Sequence, residues 1–169
     1  MKQKDIIEQL DLNKNVFRSL FEGIGKDQII WKPLPEKWCL LEIVCHLYDE
    51  EREDFRARVK HTLEIPGEAM PQIDPQGWVT SRKYMERNFQ EMVAKFLAER
   101  EDSVHWLKSL SNPPWDNIYQ HPKAGAMSAE MFLSNWLAHD YLHFRQITFT
   151  KYQYLKNHFD TRYDYAGDW

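Results

Sequence analysis

One long helical segment constrains how this chain can fold. Residues 128–155 contain neither glycine nor proline, and the apolar residues Phe132, Trp136 and Ile147 recur there at helical intervals. Ser128 is a good N-cap residue at the start of the segment. The pattern therefore predicts a long helix with one apolar face, which must be buried against other elements.

Two histidines, His139 and His143, continue this apolar stripe. Residues four apart on a helix differ by roughly 40° in azimuth and by about 6 Å along the axis. Two imidazoles at this spacing can bind one metal ion. Because the stripe faces inward, we expect their nitrogens to point into the protein. The pair predicts a buried metal site that needs a third ligand.

Three more segments carry helical periodicity, and no segment has a convincing strand pattern. The four expected helices cover residues 2–22, 39–62, 81–110 and 129–155. This order predicts an all-α fold, a four-helix bundle. At 169 residues the chain suits one domain, 1–169, with a core of about 2–155 and an aromatic C-terminal tail, 156–169.

Two helix starts can be read from capping residues. Glu42 follows Cys39 at the spacing of a capping box, although Cys is a weaker cap than Ser or Thr. Thr80 or Ser81 is the expected cap of the third helix, whose buried stripe would begin at Met85.

His46 is the candidate third ligand. It lies with Ile43 and Leu47 on the expected inward face of the second helix. Three neutral imidazoles with one open position are the ligand set of a catalytic zinc site. Nickel, iron(II) or manganese would fit the same ligands. We therefore expect one divalent metal ion, zinc or nickel in the first place and iron or manganese as alternatives.

Two carboxylates, Asp49 and Glu50, lie one turn after His46. Either could reach a metal-bound water or an imidazole N–H and act as a general base. Both could instead belong to the charged face of residues 49–58, most of which we expect to be solvated. Asp140 is rotated by about 100° from His139 and is expected to point away from the metal.

Other sites fit the sequence less well. The segment from His139 to His143 resembles the H-E-x-x-H motif of zinc proteases, but Asp140 replaces the longer Glu. A di-iron site needs Glu-x-x-His on two helices, and here both such positions carry Asp. Cys45 has no orienting partner that would make it a nucleophile. A bundle with three buried histidines and no metal stays open.

Composition excludes several classes of partner. The net charge of −4 argues against nucleic-acid binding, which needs a basic face. The chain has no run of 18 apolar residues, so no membrane span is expected. Cys39 and Cys45 are poorly placed for a disulfide, and the first residues lack the apolar segment of a signal peptide. These features predict a cytoplasmic protein.

Two segments resemble motifs of the DinB/YfiT-like superfamily. The family patterns are Trp-Ser-x-x-Glu-x-x-x-His-Leu and His-x-x-x-His-x-x-Gln-Ile. The matching residues here are Trp38-Cys39-x-x-Glu42-x-x-x-His46-Leu47 and His139-x-x-x-His143-x-x-Gln146-Ile147. Cys39 departs from the family's Ser, which affects the helix cap and not the ligands.

The resemblance implies a four-helix bundle with up-down-down-up topology that is often dimeric, hence a homodimer. It implies one divalent metal bound by His46, His139 and His143. Family members include metal-dependent transferases and isomerases that act with low-molecular-weight thiols, so a small-molecule substrate is expected.

Two functions follow. In the first, an enzyme uses the metal to activate water or a thiol, giving a hydrolase or a thiol S-transferase. In the second, a non-catalytic metal-binding or stress-response bundle uses the three histidines to join two helices. A fourth ligand such as Glu50 would then close the site.

Overall fold

Helices make up most of the computed structural model, which describes residues 2–167. The α-helices are α1 (Gln3–Phe21), α2 (Lys26–Ile30), α3 (Leu40–Glu50), α4 (Arg56–Glu64), α5 (Pro75–Ser81), α6 (Phe89–Ser109) and α7 (Ala129–His158). A π-helical turn, Glu51–Phe55, joins α3 to α4 into one long helix. With α1, α6 and α7 this helix forms the predicted four-helix bundle. Among the residues described, no helix is long and apolar enough to cross a bilayer.

Side-chain contacts between neighbouring helices fix the direction of each one. Helix α1 runs parallel to α7 and antiparallel to α6, whereas α3–α4 runs parallel to α6 and antiparallel to α7. For α1, the contacts are Asn13–Asp140 and Leu20–Lys151 with α7, and Asp11–Lys108 and Lys14–Glu101 with α6. For α3–α4, they are Glu51–Arg100 and Arg56–Ser103 with α6, and His46–His143 and Glu51–Trp136 with α7. The order is up-down-down-up, as the family resemblance implied.

The bundle holds two apolar cores with a polar layer between them. One core contains Phe17, Phe96 and Ile147, and the other contains Leu10 and Val104. Between the two cores, each long helix contributes one buried side chain to a hydrogen-bonded network around Arg100. These four residues, Asn13, Glu51, Arg100 and Asp140, are called the polar layer below.

The burial of carboxylates contradicts the expectation that most of residues 49–58 are solvated. Asp49, Glu50 and Glu51 are only 2–5% exposed. The reason is that Asp49 and Glu51 meet partners from other elements: the Tyr84 hydroxyl donates to Asp49, and the Arg100 guanidinium donates to Glu51.

The third long helix does not begin where the sequence predicted. Helix α6 starts at Phe89, and Asn88 caps it by accepting a hydrogen bond from the Glu91 N–H. The prediction that Thr80 or Ser81 caps this helix is wrong.

Those residues instead end the short helix α5. Asp74 caps α5 by accepting from the Gly77 N–H. The chain then turns at Lys83, whose φ of 51° lies in the left-handed region and interrupts the helix. Met85, expected on the buried stripe of the third long helix, lies before α6 and is 46% exposed.

The connection before α7 contains a hairpin that the sequence did not predict. Strands β1 (Ile118–His121) and β2 (Gly125–Ser128) pair antiparallel, and Tyr119 of β1 is buried in the second core. Ser128 then caps α7 as predicted, by accepting from the Met131 N–H.

The predicted tail, 156–169, begins inside α7, which continues to His158. The Tyr163 hydroxyl then donates to the Leu155 and Phe159 carbonyls and folds the following segment against the end of α7. Residues 168 and 169 of the tail lie outside the described residues.

The predictions for the start of α3 are confirmed. The Glu42 carboxylate accepts from the Cys39 N–H at 2.9 Å, as a capping box requires. Cys39 and Cys45 are both buried and free.

Candidate metal centre

The three predicted histidines come together between two helices. His46 projects from α3, and His139 and His143 project from α7. One nitrogen from each ring lies within 4.8 Å of the other two. The Nε2 atoms of His139 and His143 are 2.9 Å apart.

This spacing fits a shared cation. Three imidazole nitrogens placed tetrahedrally around zinc at about 2.1 Å lie roughly 3.4 Å from one another. Only small movements of the three side chains are therefore needed to bring the histidine nitrogens around one ion. Elsewhere among residues 2–167, no other group of three His, Cys, Asp or Glu side chains has metal-binding spacing.

The imidazoles are held neutral, which is the form that binds metals. Burial, followed by the neighbouring His143, lowers the pKa of His46 to about 3. Burial lowers the pKa of His143 to about 4, although its interaction with the Gln146 side chain acts in the opposite direction. Burial and the other two histidines hold the pKa of His139 well below its usual range.

Two buried nitrogens at the site lack a partner. The Nδ1 atoms of His46 and His143 have no hydrogen-bond partner within the described part of the chain. An unpaired buried polar atom is costly, so this site is poorly satisfied by the protein alone. With the neutral donor set, it fits a divalent metal that prefers imidazole ligands.

Aromatic rings flank the histidines. The Trp38 ring centroid lies 4.6 Å from that of His46, and the Phe55 centroid lies 4.8 Å from that of His139. The side chain of His139 is 18% exposed, and the other two histidines are buried. Of the three rings, His139 is therefore the one in contact with solvent.

Glu50 is the carboxylate beside His139. Its Oε2 lies 3.8 Å from Nε2 of His139. Burial, and then the Asp54 carboxylate, raises the pKa of Glu50 to about 8. Asp54 itself is paired with Arg58. Glu50 thus lies next to the histidines and can hold or accept a proton there.

Asp49 lies in a different environment. Its Oδ2 accepts from the Tyr84 hydroxyl at 2.7 Å, and its Oδ1 lies 2.9 Å from Arg82 and 3.2 Å from Arg52. Both oxygens are thus occupied on the side of the 82–84 segment. The structure brings Glu50, rather than Asp49, to the histidines.

Asp140 points away from the histidines, as its azimuth predicted. It accepts from Arg100 at 2.7 and 2.8 Å and from Asn13 at 2.8 Å. Glu51 accepts two hydrogen bonds of 2.8 Å from Arg100 and one of 2.9 Å from the Trp136 indole. Because Asp140 is fully engaged there, it cannot serve as the general base of a protease-like motif.

This cluster was not predicted from the sequence. Its signal was the position of Arg100, four residues after Phe96 and four before Val104, on the buried stripe of α6. Burial lowers the pKa of Arg100, but Glu51 and Asp140 raise it, and the net shift is upward. The guanidinium therefore stays charged.

Comparisons with known proteins agree with this fold. The model of the DinB superfamily matches residues 9–147. The chain is similar to the solved structure of YfiT from Bacillus subtilis, with a TM-score of 0.79 and 17% identity, over 90% of this chain and 87% of that chain. YfiT is described as "a probable metal-dependent hydrolase with an unusual four-helix bundle topology". No curated protein sequence matches significantly. Since the family model covers most of the chain, this protein belongs to the DinB superfamily.

Proposed function

We propose that this protein is a metal-dependent enzyme whose ion is held by His46, His139 and His143. The supporting observation is the convergence of three neutral nitrogens, one from each ring, within 4.8 Å. Zinc or nickel is the first candidate for the ion, and iron(II) or manganese would suit the same ligands.

A divalent ion with three imidazole ligands and an open position lowers the pKa of a bound water or thiol towards neutrality. Glu50 is the proposed general base, because its carboxylate oxygen lies 3.8 Å from His139 beside the exposed edge of the site. Trp38 and Phe55 limit the access of bulk water. Asp49 serves in a structural role, holding Tyr84 and Arg82.

The proposed substrate is a small molecule with an electrophilic centre. Hydrolysis is the first candidate reaction, supported by the description of YfiT as a hydrolase. Transfer of a low-molecular-weight thiol is the alternative, supported by the same ligand set. A panel of esters and amides, and of electrophiles with small thiols, separates the two.

Metal content is the first test. Protein purified without chelator is expected to carry one divalent ion per chain by elemental analysis, and His139→Ala to lose it. The matched control is His105→Ala, since His105 is exposed on α6 and does not belong to the group of three histidines. Wild-type protein that holds no stoichiometric metal and takes none up would refute the proposal.

Glu50→Gln tests the proposed base. The variant should retain its metal and lose about 10²–10⁴-fold in turnover, the usual contribution of a general base. Asp49→Asn should keep most of the activity. Equal losses in the two variants would contradict the assignment of the base to Glu50.

The non-catalytic alternative has one observation in its favour: the carboxylate of Glu50, the candidate fourth ligand, lies 3.8 Å from His139. Cobalt(II)-loaded protein distinguishes the two functions. With an open position, adding a small thiol should produce a thiolate-to-cobalt charge-transfer band. If Glu50 closes the shell, no band appears and chelation strongly lowers thermal stability.

A homodimer in the cytoplasm remains the predicted setting of this enzyme. Light scattering in solution tests the dimer.

A further inference from the structure

The polar layer adjoins the proposed metal centre on both helices that form it. In the long helix from Leu40 to Glu64, Glu50 faces His139 and the next residue, Glu51, binds Arg100. In α7, His139 belongs to the centre and the next residue, Asp140, binds Arg100. The two sites are therefore separated by a single peptide unit on each side.

We propose that the polar layer positions the metal ligands: Glu51, Arg100 and Asp140 fix the register of α7 against α3, so that His139 and His143 meet His46. This role rests on the proposed metal function. Glu51, Arg100 and Asp140 are positioning residues, because they bind one another and would act on the metal only through the placement of the three histidines.

Apolar packing alone specifies this register poorly. The cores on either side of the layer attract α7 through burial, which is non-directional. A slip of one residue would move each histidine by about 1.5 Å along the axis and about 100° around it. Either change would separate the three nitrogens.

The hydrogen bonds of the layer supply the missing direction. Arg100 presents paired donors to both carboxylates, at 2.8 Å for each Glu51 bond and at 2.7 and 2.8 Å for Asp140. Paired guanidinium–carboxylate contacts tolerate little displacement. Glu51 also accepts from Trp136 at 2.9 Å. Helix α7 is thus held at 136 and at 140, on either side of His139.

The layer also reaches the remaining long helix. Asn13 of α1 donates to Asp140, and Arg100 donates to the Leu10 carbonyl at 3.3 Å. All four long helices therefore meet in one network. Replacing a buried ion pair with apolar residues is often neutral or stabilising, so stability alone does not require the network. Fixing register is the best-attested role of such groups.

The test replaces the charges together with apolar residues of similar size, Glu51→Leu/Arg100→Met/Asp140→Leu. We expect this triple variant to fold, by circular dichroism and a cooperative urea transition, and to lose at least about tenfold in cobalt(II) affinity. In the metal-free protein, imidazole ¹⁵N spectra should show altered surroundings of His46, whose ring lies 5.5 Å from that of His139 and 5.0 Å from that of His143 across the two helices. Wild-type affinity and wild-type imidazole spectra in a folded triple variant would overturn the proposal.

The matched control is Arg56→Met/Glu99→Leu. It removes an ion pair between α4, in the same long helix as Glu51, and α6, and it leaves α7 unchanged. This control should keep wild-type cobalt affinity. If the triple variant does not fold, Asp140→Asn and Asp140→Leu decide instead. The conservative Asn should retain most of the affinity and Leu should lose it, and equal affinities overturn the proposal.

Failure of the proposed function would look different. Wild-type protein would then bind no cobalt at all, while the imidazole spectra of the metal-free variants would still report whether the layer positions the histidines.

Discussion

Removing the single cation of the polar layer is a direct test of its energetics. Arg100→Met keeps most of the side-chain volume but deletes four hydrogen bonds to Glu51 and Asp140. Both carboxylates stay buried, and each keeps one neutral donor, from Trp136 and Asn13 respectively.

The expected cost is large because the charges left behind are uncompensated. Breaking a buried ion pair by removing one partner typically costs about 3–5 kcal/mol. Here one cation serves two carboxylates, so we expect a value at the upper end of that range. A domain is typically stable by about 5–15 kcal/mol in total, so the variant should lose a third or more of its free energy of unfolding.

Urea unfolding followed by far-UV circular dichroism measures the loss by linear extrapolation. The matched control is Arg56→Met, which also removes a guanidinium, in this case one that lies between α4 and α6. The Arg56 and Glu99 side chains are 25% and 18% exposed, so solvent screens this ion pair, and its loss should cost less than the loss of Arg100, whose side chain is 1% exposed. Equal losses in the two variants would refute the interpretation that burial makes the Arg100 network costly to break.

Two further predictions concern the surroundings of the site. Burial raises the pKa of Cys39 to about 11 and that of Cys45 to about 12, so iodoacetamide at about pH 8 should modify neither thiol in the native protein. Both should react in denaturant, by mass spectrometry, and rapid labelling of the native protein would contradict their burial. Tyr84→Phe removes the hydroxyl that donates to Asp49 and should cost about 1.5–3 kcal/mol in urea unfolding. Its metal content should stay unchanged, and loss of the metal would show that Asp49 acts at the centre.

The parts of the fold that could be predicted depend on local spacing. The i, i+4 relation of His139 and His143 places them on one helix face, whatever the rest of the chain does. His46 could be added because the inward face of its helix is marked by Ile43 and Leu47. The bundle itself follows from segments long enough for helical periodicity to be unambiguous.

The parts that could not be predicted depend on competition or on distance. Ser81 is as good a local cap as Asn88, but residues 75–81 form their own helix and Lys83 turns the chain before α6 begins. The buried carboxylates needed a partner far along the chain: Arg100 is 49 residues from Glu51. The strands of the hairpin are four residues each, too short for alternation to be distinctive.

The adjacency of Glu50 with Glu51, and of His139 with Asp140, restricts how this chain can change in evolution. Loops of a bundle usually accept insertions and deletions, because only surface segments are affected. One residue inserted next to either pair, within α7 or the helix from Leu40 to Glu64, would rotate the residues after it by about 100° around the helix axis. The histidines or Glu50 would then leave the metal centre, or Glu51 or Asp140 would leave the polar layer. Length variation should therefore be confined to the segments between the long helices, while α7 and the helix from Leu40 to Glu64 keep their residue count.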